Sequence, residues 1–594
     1  MSETKEKVFK GGAFLTEDLT GEDIITPEDF TDEHKMIAKT TEEFIENEVL
    51  PVAEKLENHE FDLSVELLKK AGELGLLSAD IPEEYGGLGL DKTSSALITE
   101  KFSRAGAFSI THGAHVGIGS LPIVFFGNEE QKAKYLPKLA TGELIAAYAL
   151  TESGSGSDAL AAKTTAVLNE AGTHYILNGE KQFITNAAFA DVFIVYAKVD
   201  GEHFSTFIVE RDFPGVSTGA EEQKMGIKGS STRTLILDNA EVPAENLLGE
   251  IGKGHRIAFN ILNVGRYKLA IGGVGGAKAA LETAVKYVNE RKQFNRAISS
   301  FALTQEKIGT IASEIYANES AVYRTVGLFE QRMGSLTEEQ LKDGREVAKA
   351  IAEYQIECSM NKYMATELLD HAVDEAVQMH GGNGFIQEYD VERMYRDSRI
   401  NRIFEGTNEI NRLLVPGTLL KKAMKGELPL LQQAQSLQEE LVMMMPQEVG
   451  TEPLEQEKYL LKNAKKIVLF AAGLAVQKYM QKIEGEQEIL ANLADMVAEV
   501  YNMESAILRT EKAIGRDGEE KSRQKLLYTE VYVQEAFNRI EADAKETILA
   551  VEEGDNLRMM LASLRKLTRH TPINVIKKKR EIAAPIIEQE KYVL

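Results

Sequence analysis

The chain has no tryptophan and a single cysteine, Cys358. One cysteine excludes an intrachain disulfide, so an oxidising compartment offers nothing structural. Its helical context, YQIECSMNKYM, predicts a buried, inert thiol. No run approaches eighteen consecutive apolar residues, so nothing reads as spanning a bilayer. The N-terminal MSETKEKVFKGG carries neither an apolar signal core nor the Arg/Ser-rich character of a transit peptide. Basic residues are in deficit, 68 against 93 acidic, for a formal balance of −25. That field repels phosphate backbones and anionic headgroups, which excludes nucleic acid as a general partner. No group of His, Cys or carboxylates has metal-ligand spacing, so no metal is expected. These absences predict a cytoplasmic protein of a bacterium-like cell.

What is present is length and periodicity. At 594 residues, 43% hydrophobic and 27% charged, the chain has enough apolar material for a large core in three or four packing units. Residues 1–28 are polar and predict a meandering segment. From Thr31 to Gly142 the period is helical. Ile37, Phe44, Ile45 and Val49 share one face, as do Leu67, Leu68, Ala71 and Leu74, with Thr31 and Asp32 as caps. The turn-rich PEEYGGLGLD interrupts this region. Beyond Glu143 the period shortens. Residues 164–168, 175–177, 181–184, 192–199, 204–210 and 232–237 read as strands, with Asn178-Gly179 and Asp200-Gly201 as hairpin turns. Helical periodicity returns at Gly254 and lasts to about Met424. A low-order linker, LQEELVMMMPQEVGTEP, then leads to four more helices over residues 459–480, 489–508, 526–550 and 557–567. In the second, Ile489, Leu493, Met496, Val500, Met503 and Ile507 form a continuous apolar stripe. It suits packing on the core or a second subunit, the alternative being an interfacial membrane helix. TPINVIKKKREIAAP is the one basic run near the end, a solvated face or a surface contact. The expected class is α+β. It comprises an N-terminal helical domain (29–145), a central antiparallel β-domain (146–253), a C-terminal four-helix-type bundle (254–430) and an additional C-terminal helical domain (454–594).

The densest chemical signal is Phe404-Glu405-Gly406-Thr407-Asn408, directly after the arginine-rich run RDSRINRIF. A carboxylate wedged beside an aromatic ring loses hydration, so its pKa rises and its anion becomes a strong base once water is sealed out. Glycine after it lets another molecule approach the backbone, leaving the Glu405 or Gly406 N–H free for a carbonyl. The pairing suits abstraction of a proton next to a carbonyl; equally, a Glu-Gly pair ends many helices. TESGSGSD, residues 151–158, offers glycines and small hydroxyls that reach a flat ring or a phosphate closely, or else forms a flexible surface loop. In KQFITN, residues 181–186, strand alternation sets Phe183 and Thr185 on one side. They stack a ring and offer it a hydroxyl, or are simply a core Phe and a strand Thr. NVGRYKLAIGGVGGAK, residues 263–278, is not a dinucleotide fingerprint, since no strand precedes it and the glycines lack G-x-G-x-x-G spacing. Its small residues suit close helix packing.

FEGTN, with QMHGGNGF (residues 378–385) and YALTESGSGSD (residues 148–158) before it, resembles the acyl-CoA dehydrogenase family over roughly residues 30–420. Roughly 170 residues follow the usual core, so the chain is most similar to the long-chain and very-long-chain members. The resemblance implies an FAD enzyme that converts long-chain acyl-CoA to trans-2-enoyl-CoA in fatty acid β-oxidation, with electron-transfer flavoprotein as electron acceptor. It implies Glu405 as the base, with Gly406 beside the thioester. Tyr148, Leu150, Thr151, Gly156, Ser157, Phe183 and Thr185 are expected against the flavin, Ser157 also touching substrate. Asn263 and Arg266 are expected near the substrate, where an arginine supplies the positive charge an anionic coenzyme A needs. Arg291, Phe294 and Gln305, with Gln378, Gly381 and Gly382 from a neighbouring subunit, are expected at the flavin's pyrophosphate and adenosine end. The site would then be completed in a homodimer. Thr407 and Glu409 are further expected cofactor contacts, and His380 a packed loop residue. Relatives often carry Trp where this chain has Phe183 and Pro where it has Ser153, so stacking area shrinks and the loop softens slightly. HGAHVGIGS, residues 112–120, resembles the long-chain members. Its Gly113, Gly117 and Gly119 remove volume that would block a deep acyl tail, with plain helix packing as the other reading. Two other functions stay open: an acyl-CoA oxidase using O₂, and a non-catalytic assembly or scaffold protein on the same fold. Membrane contact is at most peripheral.

Overall fold

The computed structural model describes residues 8–445 and 449–594. Its first helices begin where their caps predict. The Thr31 hydroxyl accepts the His34 N–H at 3.2 Å to open Asp32–Phe44, and Asp91 accepts the Ser94 N–H at 2.7 Å to open Lys92–Phe102. Helix Phe61–Glu73 buries Leu67, Leu68 and Ala71; Leu74 falls past its end and is exposed. The run Ala107–Phe126 is long and apolar enough to cross a membrane by length and composition, yet 72% of it is buried inside the protein. Two buried histidines explain how it belongs to the core: His112 and His115 bond the carbonyls of Leu76 and Leu139, each at 3.0 Å. Burial pulls both imidazoles down, to about 3 and about 4, so they are neutral.

The central region is one sheet in the order β6-β7-β3-β2-β4-β5-β8, with β1 also paired to β4. Its strands are β1 Ala146–Ala149, β2 Thr165–Leu168, β3 His174–Thr185, β4 Val192–Val199, β5 His203–Glu210, β6 Val216–Thr218, β7 Thr232–Pro243 and β8 Leu247–Leu248. Two features differ from the sequence reading. Residues 175–177 and 181–184 belong to a single strand, because Asn178-Gly179 is a bulge rather than a turn. Gly179 lies against Thr164, and the register with β7 shifts between Leu177 and Gly179. The sheet is also mixed: β1 and β2 both run parallel to β4, while the other pairings are antiparallel. Asp200 and Gly201, at φ 52° and 77°, do make the tight connection between β4 and β5.

Long helices follow: Gly254–Glu290, Ala302–Gly334, Gln355–His380 and Asn408–Met424. The glycines of the first let it pack closely, since a Cβ on Gly273 would stand 2.7 Å from the Ala365 carbonyl oxygen. The expected linker is partly helical: Leu430–Met443 buries Leu437 and Leu441, and Pro446, Gln447 and Glu448 lie outside the described residues. The four additional helices are Glu455–Tyr479, Gln487–Asp517, Arg523–Val551 and Gly554–Leu567, and the predicted apolar stripe of the second is buried throughout. A fifth, Val575–Gln589, holds the basic run. Lys578 pairs with Glu530 at 2.5 Å, buried Lys579 pairs with Glu535 at 2.6 Å, and Ile582, Ala583 and Ile586 are buried. The run is therefore a packed helix with its central lysines neutralised.

Residues 8–28 do not meander. Phe9, Ala13, Phe14 and Leu15 are buried, and the Gly12 N–H donates to the Glu357 carboxylate at 2.7 Å. Glu28 accepts from Arg509 of the additional helices at 2.8 Å, and the same guanidinium reaches Glu319 at 2.6 Å. Arg324–Glu504, at 2.7 Å and almost fully buried, joins the bundle to the additional helices again. Polar composition misleads here because the partners lie hundreds of residues away.

Candidate active site

Glu405 occupies a sharp turn ahead of helix Asn408–Met424. Glu405 and Gly406 are both left-handed, at φ 57° and 83°. Glycine does this freely, whereas a side chain there costs about 1–2 kcal/mol, so the surroundings must hold the turn. They do so through its carbonyls. Arg266 Nε donates to the Glu405 carbonyl at 3.3 Å, while Lys362 Nζ and Asn411 Nδ2 donate to the Gly406 carbonyl at 2.8 and 2.9 Å. Thr407 then caps the helix by accepting the Ile410 N–H at 3.2 Å. The Glu-Gly pair thus opens a helix instead of ending one. Among the described residues the Glu405 and Gly406 N–H groups have no hydrogen-bond partner, which leaves them for an incoming carbonyl oxygen.

The Glu405 Oε2 is buried and makes no hydrogen bond among the described residues. It lies against Gly265, where a Cβ would stand 2.5 Å from that oxygen. Burial pushes Glu405 up to about 7, with the Arg266 and Lys362 cations opposing the rise. Burial also pulls Lys362 down to about 7, against the attraction of Glu405. Tyr148, on β1, feels the Glu405 charge; its hydroxyl and that of Tyr196 are buried and unpaired, with the rings 5.3 Å apart. Arg266 is 8% exposed and spends Nη1 on Asn263 Oδ1 at 3.0 Å. Helical spacing puts both residues on the face packed against the base turn. The Arg266 charge stands beside Glu405, and its Nη2 has no hydrogen-bond partner among the described residues. Two of the three preceding arginines are also committed, Arg396 to Glu392 at 2.5 Å and Arg402 to Asp370 at 3.0 Å, while Arg399 is exposed.

The loop 151–158 is pinned rather than flexible. Glu152 pairs with fully buried Lys181 at 2.6 Å and accepts the Lys163 and Thr164 N–H groups at 2.6 and 3.1 Å. Lys181 also donates to the carbonyl of buried Leu150 at 3.2 Å, and the Gln182 N–H to that of Thr151 at 2.8 Å. Exposed Ser153 bears on none of these bonds. Gly154 and Gly156 border open space, and Ser157 is exposed. A second bulge in β3, between Lys181 and Ile184, places Phe183 at φ 59° with 57% of its surface exposed; Thr185 is half-buried. An uncovered ring in a strained conformation, beside glycine-lined space, fits a flat cofactor ring such as that of FAD.

A second group gathers at the far end of Gly254–Glu290. Arg291 makes no ion pair among the described residues, and Phe294, at the tip of a short hairpin, is 87% exposed. Gln305 donates to the Ser299 carbonyl at 3.2 Å. Gln378, Gly381 and Gly382 are exposed, the glycines facing open space. Buried His380 stacks on Tyr287 at 4.0 Å, so the QMHGG loop adjoins this helix end within one chain. At 1.5 Å per residue, Gly265 and Arg291 stand about 40 Å apart on one helix. One copy therefore does not bring the two groups into a single site. Thr407 and exposed Glu409 belong to the base turn.

Of the three glycines in the 112–120 run, Gly113 borders open space and Gly117 faces the stem of Lys268 at 3.8 Å. Gly119 is structural, its Cβ position 2.8 Å from that of Ala146 on β1. Sequence reasoning missed Lys362 and Gly265, which come from helices distant along the chain, and Asn411, one turn into the helix that the base turn opens. Cys358 is buried, and its thiol is pushed well above the usual range by burial. No three His, Cys, Asp or Glu among the described residues are grouped to hold a metal ion.

Models of the acyl-CoA dehydrogenase N-terminal, middle and C-terminal domains match residues 31–143, 147–240 and 252–420, and a further acyl-CoA dehydrogenase C-terminal domain model matches 463–566. A probable acyl-CoA dehydrogenase of Bacillus subtilis (strain 168) is 72% identical over 592 residues, 100% of both chains. The human very long-chain specific acyl-CoA dehydrogenase, mitochondrial, is 40% identical over 353 residues, 58% of this chain and 51% of that protein. The crystal structure of an acyl-CoA dehydrogenase complexed with FAD from Bacillus anthracis is 72% identical with TM-score 0.98, covering 99% of this chain and 100% of that one. Matched along its whole length, this chain belongs to the acyl-CoA dehydrogenase family.

Proposed function

We propose that the chain dehydrogenates long-chain acyl-CoA to trans-2-enoyl-CoA in fatty acid β-oxidation. Like its family it is an FAD-dependent oxidoreductase, and bound FAD supplies the acceptor for the hydride that leaves the substrate β-carbon. Everything else is done by the chain. The free Glu405 N–H donates to no acceptor among the described residues and so is left to donate to the thioester carbonyl oxygen, which acidifies the α-carbon. The unpaired Glu405 Oε2 takes the α-proton. Arg266, Lys362 and Asn411 hold the turn so that amide and carboxylate face the same substrate. Phe183, Thr185, Tyr148, Leu150, Thr151, Gly156 and Ser157 hold the flavin ring. Arg291, Phe294 and Gln305 meet Gln378, Gly381 and Gly382 of a second copy in a homodimer. The bare Phe294 and Phe385 rings, 87% and 84% exposed at this end, support that pairing. Gly113 and Gly117 favour a long tail, and the matched core of the human very long-chain enzyme supports the same choice. Electron-transfer flavoprotein as acceptor and a cytoplasmic location belong to the same proposal.

The buried, unbonded Glu405 Oε2 beside two free amides is the observation that carries this reading. Anaerobic mixing with palmitoyl-CoA should bleach the flavin faster than octanoyl-CoA does. Glu405→Gln should keep the flavin and lose about 10²- to 10⁴-fold in turnover. A Gln variant with wild-type turnover would end the assignment, and a preference for the octanoyl ester would end the chain-length choice.

A further inference from the structure

The additional C-terminal helices carry none of the residues assigned above, yet one of their carboxylates reaches the base turn through a continuous series of side chains. Arg412 stands in helix Asn408–Met424, whose N-terminus is the base turn itself. All three guanidinium nitrogens are engaged: Nη1 and Nη2 donate to the two Glu367 carboxylate oxygens at 2.7 and 2.8 Å, and Nε donates to Asp495 Oδ1 at 2.7 Å. Asp495 belongs to Gln487–Asp517 of the additional helices. The same contact is reinforced next door, where Tyr363 lies 4.5 Å beneath the Arg412 guanidinium and donates its hydroxyl to the Ala494 carbonyl at 2.8 Å. From Glu367 the series continues inward. Asn408 Nδ2 donates to Glu367 Oε1 at 3.0 Å, and Asn408 Oδ1 accepts from Lys362 Nζ at 2.8 Å. Lys362 Nζ also donates to the Gly406 carbonyl at 2.8 Å. Every step is a charged or bidentate hydrogen bond, the kind that fixes geometry as well as adding energy.

We propose that Asp495 is a positioning residue for the base: by seating Arg412 it fixes Glu367, and through Asn408 and Lys362 it sets the Glu405–Gly406 peptide. The inference rests on the reading of Glu405 as base. It gives the additional helices a part in the reaction beyond packing. A carboxylate that only glued these helices to the bundle would affect stability and leave the chemistry of the folded holoenzyme alone.

The test uses full-length holoenzyme carrying Asp495→Asn, Asp495→Glu or Glu405→Gln, assayed with palmitoyl-CoA well below the thermal midpoint. In Asp495→Asn, kcat should fall about tenfold or more while KM moves less than about threefold, the pattern of a misplaced catalytic group. Amide exchange over residues 399–412 should quicken, and flavin absorbance should be retained. Asp495→Glu should recover most of kcat. Wild-type kcat in Asp495→Asn, or a loss no greater than the flavin lost, overturns the proposal. If Asp495→Asn does not accumulate as holoprotein, Tyr363→Phe carries the test, since it removes the Ala494 bond and leaves the ring in place. A kcat loss of about threefold with quickened exchange over 399–412 then supports the proposal, and wild-type values overturn it. Glu405→Gln separates the two failures. If it turns over normally, the reading of the base is wrong; if it is dead while Asp495→Asn keeps wild-type kcat, only this inference falls.

Discussion

Gly265→Ala is the sharpest test of where the base stands. The added Cβ would lie 2.5 Å from Glu405 Oε2 and 2.8 Å from its Cδ, where ordinary contact begins at 3.4 Å. The carboxylate must therefore retreat by about 1 Å or turn away. A displacement of about 1 Å at a reacting group costs about 10²-fold in rate, equivalent to about 2.7 kcal/mol of transition-state stabilisation. The fold should not suffer. Gly265 lies inside a long helix, and alanine there gains about 0.5–1 kcal/mol in helix propensity, which offsets the crowding of one movable side chain. The expected signature is thus a slower enzyme with an unchanged or higher thermal midpoint. Single-turnover flavin reduction by palmitoyl-CoA, run beside a thermal melt and a flavin spectrum, reads all three quantities. Wild-type reduction with the flavin intact would show that the carboxylate does not act from its place against Gly265.

Further expectations follow from charge. Since Glu405 must be ionised to take a proton and burial raises it to about 7, kcat/KM should climb with pH and level off above that value. Lys362→Met removes a cation that lowers Glu405, so the acid limb should move upward; an unmoved limb would refute the coupling. The stability sign is opposite to that of a salt-bridged carboxylate. The folded state holds its proton more tightly than the unfolded chain, so this group's contribution is intact at low pH and lost as pH rises toward 7. Glu405→Gln should accordingly gain thermal stability over wild type between about pH 4.5 and 7, and a constant difference would contradict this. Lys181→Met leaves Glu152 buried without its cation and should cost about 3–5 kcal/mol in denaturant unfolding while loosening flavin retention. A loss below about 1 kcal/mol would mean that loop 151–158 is held by other means.

What the sequence disclosed and what it hid divide along a physical line. Strand periodicity located β2, β4, β5 and the start of β7 because side chains alternate regardless of neighbours. Asn178-Gly179 misled because the same dipeptide serves a turn or a bulge, and the choice was made by Thr164 pressing on Gly179 from an adjacent strand. Glu405 stood out because its neighbours in sequence, a ring and a glycine, are also its environment. Lys362 did not, since a lysine in a helical pattern reads as solvated until the Gly406 carbonyl and Asn408 are seen beneath it. Arg266 was noticed as a cation, but nothing in sequence says that its Nε and Nη1 are taken by the Glu405 carbonyl and Asn263.

The hidden residues serve one turn. Lys362 and Asn411 anchor the Gly406 carbonyl and Gly265 leaves room for the Glu405 carboxylate, and such demands exist only after the chain has folded. A reader of sequence therefore finds the group that reacts before the groups that hold it. The base turn is strained and its carboxylate unsolvated, so its geometry must be imposed from outside the pentad. That external support is where Gly265, Lys362 and Asn411 enter, and where substitutions should alter rate while leaving flavin and fold in place.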